Sequence, residues 1–151
     1  MNDLTYEQIL QAEAHKAGVG TITYHKGNYG CAYQKTKNIF VPEPKTLYTL
    51  ATALHEVAHI SIGKVKPQYY AEYLCEMWVR EKFKEHGLVL KRRIADSQKR
   101  YVAHRVMLSY KRSSSPEYRV KKEVLDFIGA HQEGVLSSGG LENDRIILCT
   151  L

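Results

Sequence analysis

Leu54-His55-Glu56-Val57-Ala58-His59-Ile60 is the stretch that most constrains what this chain can fold into. Ahead of it, Leu47, Leu50 (or Ala51) and Leu54 recur at helical spacing, so the whole run reads as a mostly apolar helix. Histidines four apart on a helix lie one above the other, about 6 Å along the axis. His55 and His59 can then bring two imidazole nitrogens to one Zn²⁺ at about 2.0–2.1 Å each. Glu56 emerges beside the open side of such a metal, where a carboxylate can take a proton from metal-activated water. A helix that merely carried two core or solvated histidines is the plain alternative. On an apolar helix, however, an unpaired buried imidazole is costly.

A catalytic zinc wants a third protein ligand and one open position. Gly63 and Pro67 break the chain after the motif, and Gln68 to Val79 reads as a new helix continuing through Phe83 to about His86, with Gly87 as its cap. Glu72 and Glu76 are again four apart, among Leu74, Cys75, Met77, Trp78 and Val79. One can bind the metal while the other accepts a hydrogen bond from a ligand histidine. Two solvated glutamates, with Glu76 paired to Arg80, are the ordinary alternative.

From Ile39 to Arg80, about a quarter of the chain, this pattern resembles the gluzincin-type zinc metallopeptidases. Among the small ones it is most similar to the ImmA/IrrE-type and ArdC-type zincin domains of phages and mobile elements. The resemblance implies His55, His59 and Glu72 as zinc ligands, Glu56 as general base, and Glu76 as the acid behind a ligand or as the alternative ligand. It implies an α+β fold: a small zincin-like domain with an N-terminal helix and short β-sheet, then an active-site helix and a helical C-terminal half. The expected activity is peptide-bond hydrolysis by Glu-assisted attack of zinc-bound water on a protein or peptide, with a regulatory or host protein as substrate. A non-hydrolytic zincin-like module that blocks a partner, with structural zinc, is the competing reading. The ligand types suit Zn²⁺, though Mn, Co or Ni can occupy them.

A chain of 151 residues is expected to form a single domain, residues 1–151, with a real core. No apolar run approaches the about 20 residues that span a bilayer, so no membrane partner is expected. The start, Met1 to Tyr6, has neither a basic nor an apolar leader segment, which points to a cytoplasmic location. Cys31, Cys75 and Cys149 form no C-x-x-C pair and read as reduced, structural thiols.

Leu4 to Ala17 reads as a first helix, with Ile9, Leu10 and Ala14 (or Glu13) on neighbouring faces and Gly18 and Gly20 ending it. Val19 to Tyr24 alternates like a strand, Gly27 to Gly30 makes a turn, and Cys31-Ala32-Tyr33 starts a return strand. Ile39-Phe40-Val41-Pro42, closed by proline, reads as an edge strand to which an extended peptide could add. Further on, helices are expected over Ala95 to Tyr110 and Tyr118 to Ile128, with Ser113 to Pro116 as a break that caps the second. Glu133 to Gly140 reads as a linker and Arg145 to Leu151 as a last strand, paired with the sheet or a partner.

Net charge is +6, and Lys91, Arg92, Arg93, Lys99, Arg100, Arg105, Lys111, Arg112, Arg119, Lys121 and Lys122 carry half of the 22 basic side chains. Residues 91–122 are a weak lead to a nucleic-acid partner, since no nucleic-acid motif accompanies them; solvated helix faces explain them as well. Amide hydrolysis also asks for a donor opposite the metal to stabilise the developing oxyanion. Tyr69, Tyr73, His86, His104 and Arg105 are able to serve, and His104, held mid-helix, is the preferred candidate.

Overall fold

The structure, a computed structural model, describes residues 3–113, 118–133 and 145–148. Its architecture is α+β, with an N-terminal helix, a small sheet and then helices. Contacts divide the chain into two compact units, Met1–Val65 with Leu74–Ile94, and Lys66–Tyr73 with Ala95–Leu151.

In the first unit, α1 (Tyr6–Ala17) begins at Thr5. The Thr5 hydroxyl accepts from Gln8 N at 3.2 Å while Gln8 Oε1 accepts from Thr5 N at 2.8 Å, so two otherwise orphaned amides are satisfied reciprocally. Gly18, at φ +81°, ends the helix in the left-handed conformation that costs a glycine little. Ile9, Leu10, Glu13 and Ala14 are the buried residues of this helix.

Three short strands follow: β1 (Thr21–His25), β2 (Cys31–Tyr33) and β3 (Asn38–Pro42), in spatial order β1-β3-β2. Two expectations are corrected here. β3 is the central strand, not an edge, and β2 returns to pair with β3 rather than with β1. Burial explains the exchange. Ile39 and Val41, 1% and 0% exposed, pair with Ile22 and Tyr24 on the face that meets the core. The most deeply buried strand gains most from having its backbone bonded on both sides. Proline did not forbid this, because β2 pairs only with Asn38–Phe40 and Pro42 lies past the end of that ladder.

Next comes α2 (Leu47–Ile62). Thr46 and Thr49 cap it reciprocally, Thr49 N reaching Thr46 Oγ1 at 3.1 Å and Thr46 N reaching Thr49 Oγ1 at 2.9 Å. Leu50, Ala53, Leu54 and Val57 are fully buried, so the helix is the core of its unit. Removing one such side chain, as in Leu54→Ala, costs roughly 2–5 kcal/mol. α3 (Gln68–Glu85) ends before Gly87, which takes φ +64°; its residues to Tyr73 count with the second unit and the rest with the first. Val79 and Phe83 join the same core as Leu10, Val41 and Leu54.

α4 (Arg92–Arg112) is longer than the expected 95–110. In the second unit α5 spans only Lys122–Ile128, a shorter helix than the expected start at Tyr118. Side chains have claimed the backbone ahead of it: Val120 N donates to Gln132 Oε1 at 2.9 Å, Gln132 Nε2 donates to Tyr118 O at 2.8 Å, and Lys121 N donates to Tyr69 Oη at 3.1 Å. Those groups are spent before a helix can use them. Tyr69, Val102, Val106, Val124, Leu125 and Ile128 form this unit's core. A strand that the sequence did not announce, β4 (Ala130–Glu133), pairs antiparallel with β5 (Arg145–Leu148). The expected last strand therefore finds its partner in β4. The expected break at Ser114–Pro116 and linker beyond Glu133 lie outside the described residues.

Candidate metal centre

All of α2's chemistry-bearing residues sit in its second half, within the first unit. His55 and Glu56 are 7% and 8% exposed, and His59 is half-buried. The helical repeat stacks the two imidazoles with ring centroids 4.9 Å apart and planes at 75°. The end of the helix is fastened where His59 stands. Its carbonyl accepts from Gln34 Nε2 at 2.8 Å and from Gly63 N at 3.1 Å.

Glu76 on α3 brings Oε1 to 2.9 Å from His55 Nδ1. A carboxylate at that distance favours the tautomer with its proton on Nδ1, the form whose Nε2 carries the free lone pair. The residue before it, Cys75, is 1% exposed. One ligand atom from each of His55, His59 and Cys75 lies within 4.8 Å of the others, and this cluster could hold a metal ion. Tetrahedral bonds of about 2.0–2.3 Å need donors roughly 3.3–3.6 Å apart, a closure that side-chain rotation can supply. Two nitrogens and a sulfur are a donor set that suits zinc. Reading the cysteines only for pairs along the sequence missed Cys75. The usable signal was helical: Cys75 stands three residues after Glu72 and one before Glu76.

A second residue that sequence pattern alone does not single out is Gly30, just before β2. A Cβ on residue 30 would stand 2.5 Å from Glu56 Cγ and 2.7 Å from its Oε1. The backbone here lies directly against the Glu56 side chain, which only glycine permits without displacement.

Glu72, one turn before Glu76 on α3, is 4% exposed. It is not part of the ligand-atom cluster found among the described residues. Burial disfavours the Arg105 charge, but the Tyr101 hydroxyl, 3.3 Å from Arg105 Nη2, and the Glu72 carboxylate outweigh it and raise the guanidinium's pKa. His104 is exposed on α4. Tyr69 is 1% exposed within the second unit's core, and His86 Nε2 lies 2.9 Å from Glu13 Oε1. Of the basic residues, Lys91, Arg92, Arg93, Arg100, Lys111, Arg112, Arg119, Lys121 and Lys122 are exposed, and Lys122 pairs with Asp126 at 2.9 Å. No helix among the described residues is long and apolar enough to cross a membrane. No protein-family model, curated protein or solved structure matches the chain.

Proposed function

We propose that the protein is a zinc-dependent metallopeptidase of the HExxH type. The observation that carries this reading is the placement of Glu56, buried on α2 between two histidines whose ligand atoms gather with that of Cys75. Bound there, zinc would polarise the scissile carbonyl and make water a better acid. His55 and His59 would hold the metal, with the Glu76 carboxylate 2.9 Å from His55 Nδ1 placed to orient that ring. The Glu56 carboxylate takes the proton of the attacking water and passes it to the leaving amine. The third donor comes from α3, where the sequence pattern implies Glu72 and the geometry offers Cys75. A peptide substrate is supported by β2. Among the described residues it pairs with β3 alone, and the chain enters it at Gly30, against Glu56, so its open side can receive an extended backbone. The peptide edge thus moves from β3, where the sequence suggested it, to β2. A phage or mobile-element setting with a regulatory substrate rests on the resemblance alone.

Cys75 favours a second reading. Thiolates are common in closed structural zinc sites, and a module that uses zinc to hold its helices together has no need of Glu56 as a base. Cleavage of a peptide library by the zinc-loaded protein decides between them. The peptidase reading expects cleavage that stops in Glu56→Gln while zinc stays bound. Bound zinc without any cleavage, or cleavage undiminished in Glu56→Gln, overturns it.

A further inference from the structure

We infer that Cys75 supplies a thiolate to the metal held by His55 and His59, in place of the carboxylate that the sequence pattern implies, making an N₂S centre selective for thiophilic cations. The inference rests on the metal-binding part of the function proposed above and names the chemistry of its third donor. A buried cysteine is by itself an ordinary small hydrophobe. Here a ligand nitrogen from each of two imidazoles lies within 4.8 Å of its sulfur, and a carboxylate oxygen of the neighbouring Glu76 stands 2.9 Å from Nδ1 of His55. Consecutive residues of α3 therefore meet the same histidine helix, one by orienting a ring and one by offering a donor.

Glu72 is 4% exposed but is not part of the ligand-atom cluster found among the described residues. Either third donor would bring one negative charge, so total charge does not distinguish them. Softness does. A carboxylate oxygen accepts Mg²⁺ and Mn²⁺ readily, whereas a thiolate prefers Zn²⁺, Co²⁺ and Cd²⁺. The thiol must also deprotonate on binding, so loading releases a proton and strengthens as pH rises towards the thiol range.

The test uses the full chain, freed of metal and titrated with Co²⁺ under reducing conditions. Sulfur ligation gives an intense near-ultraviolet sulfur-to-cobalt charge-transfer band, which nitrogen and oxygen ligands do not. Wild type is expected to show this band, saturating at one equivalent. Cys75→Ser is expected to lose it and to bind cobalt at least tenfold more weakly, while Cys31→Ser keeps it. Cobalt bound stoichiometrically without the band, or a band that survives in Cys75→Ser, overturns the thiolate and leaves the proposed metal site standing. No binding of cobalt or zinc by the folded wild type overturns both. Should Cys75→Ser fail to fold, the wild type and a Cys31→Ser/Cys149→Ser variant still decide: a band kept in the double variant leaves Cys75 as its source, whereas an absent wild-type band, or one lost in the double variant, contradicts the inference.

Discussion

Two buried glutamate–histidine pairs lie in the first unit, and they have opposite surroundings. Glu13 on α1, 1% exposed, has His86 Nε2 at 2.9 Å, Lys82 Nζ at 3.3 Å and Lys16 Nζ at 3.3 Å. Glu76 on α3 has His55 Nδ1 at the same 2.9 Å, but that ring leads on to a second imidazole and a thiol. The first pair sits among cations that answer its charge, so it fastens α1 to α3. The second sits among lone-pair donors, an arrangement that gains from a cation. A Glu–His contact is thus no signature by itself. What surrounds the imidazole separates a structural clasp from a candidate site.

The sharpest way to break this comparison is at Glu56, which belongs only to the second group. Glu56→Gln is expected to reduce peptide turnover by about 10²–10⁴-fold, the range of a lost general base, with zinc content unchanged by elemental analysis. Gly30→Ala pushes a methyl group into the same side chain. It should lower turnover and cost roughly 1–3 kcal/mol in denaturant unfolding, with metal affinity little altered.

The two glutamates should then divide cleanly. Glu76→Gln is expected to weaken zinc binding by about 10–100-fold in competition with a chelator, as loss of a ligand's orienting partner does. Glu13→Gln should leave zinc affinity alone and lower stability by about 1–3 kcal/mol, because Lys82 loses a buried counter-charge. Equal effects of both substitutions on metal affinity would erase the distinction.

The smallest effect is in acid. Burial raises the Glu13 pKa, but hydrogen bonds from His86, Lys16 and Lys82 outweigh it and leave the value below the ordinary 4.5. A carboxyl depressed on folding adds stability above its unfolded pKa, and that part fades as pH falls through its lower folded value. Metal-free wild type should therefore lose more stability than Glu13→Gln as pH drops from about 5 to below 4. Parallel curves would remove Glu13 as a source of acid sensitivity.

Helical spacing made α2 legible: Leu47, Leu50 and Leu54 lead into the two histidines, and the helix is buried as that pattern implies. Gly18 and Gly87 marked helix ends correctly, because each needs a positive φ. The order of the strands was not legible. β3 reads as an edge because of Pro42, and only its pairing with β1 and β2 shows that the proline stands past the β2 ladder. The α5 boundary failed for a similar reason, since the Tyr69 hydroxyl and the Gln132 amide take up backbone groups from far along the chain. At the site, spacing within a single helix pointed to His55, Glu56 and His59, and the Glu76 pair followed from its neighbour on α3. Gly30 was hidden because its meaning lies in what stands opposite it in space, and Cys75 shows only as a helical neighbour of Glu72 and Glu76, not as half of a cysteine pair.

The central claim is that the His55, His59 and Cys75 cluster is a metal centre. Elemental analysis of the purified protein, dialysed against zinc and then against buffer, tests it most directly, beside His55→Ala and His59→Ala. The account predicts one equivalent of zinc in wild type and almost none in either variant. A folded wild type that retains no zinc, or variants that retain as much as wild type, would contradict it.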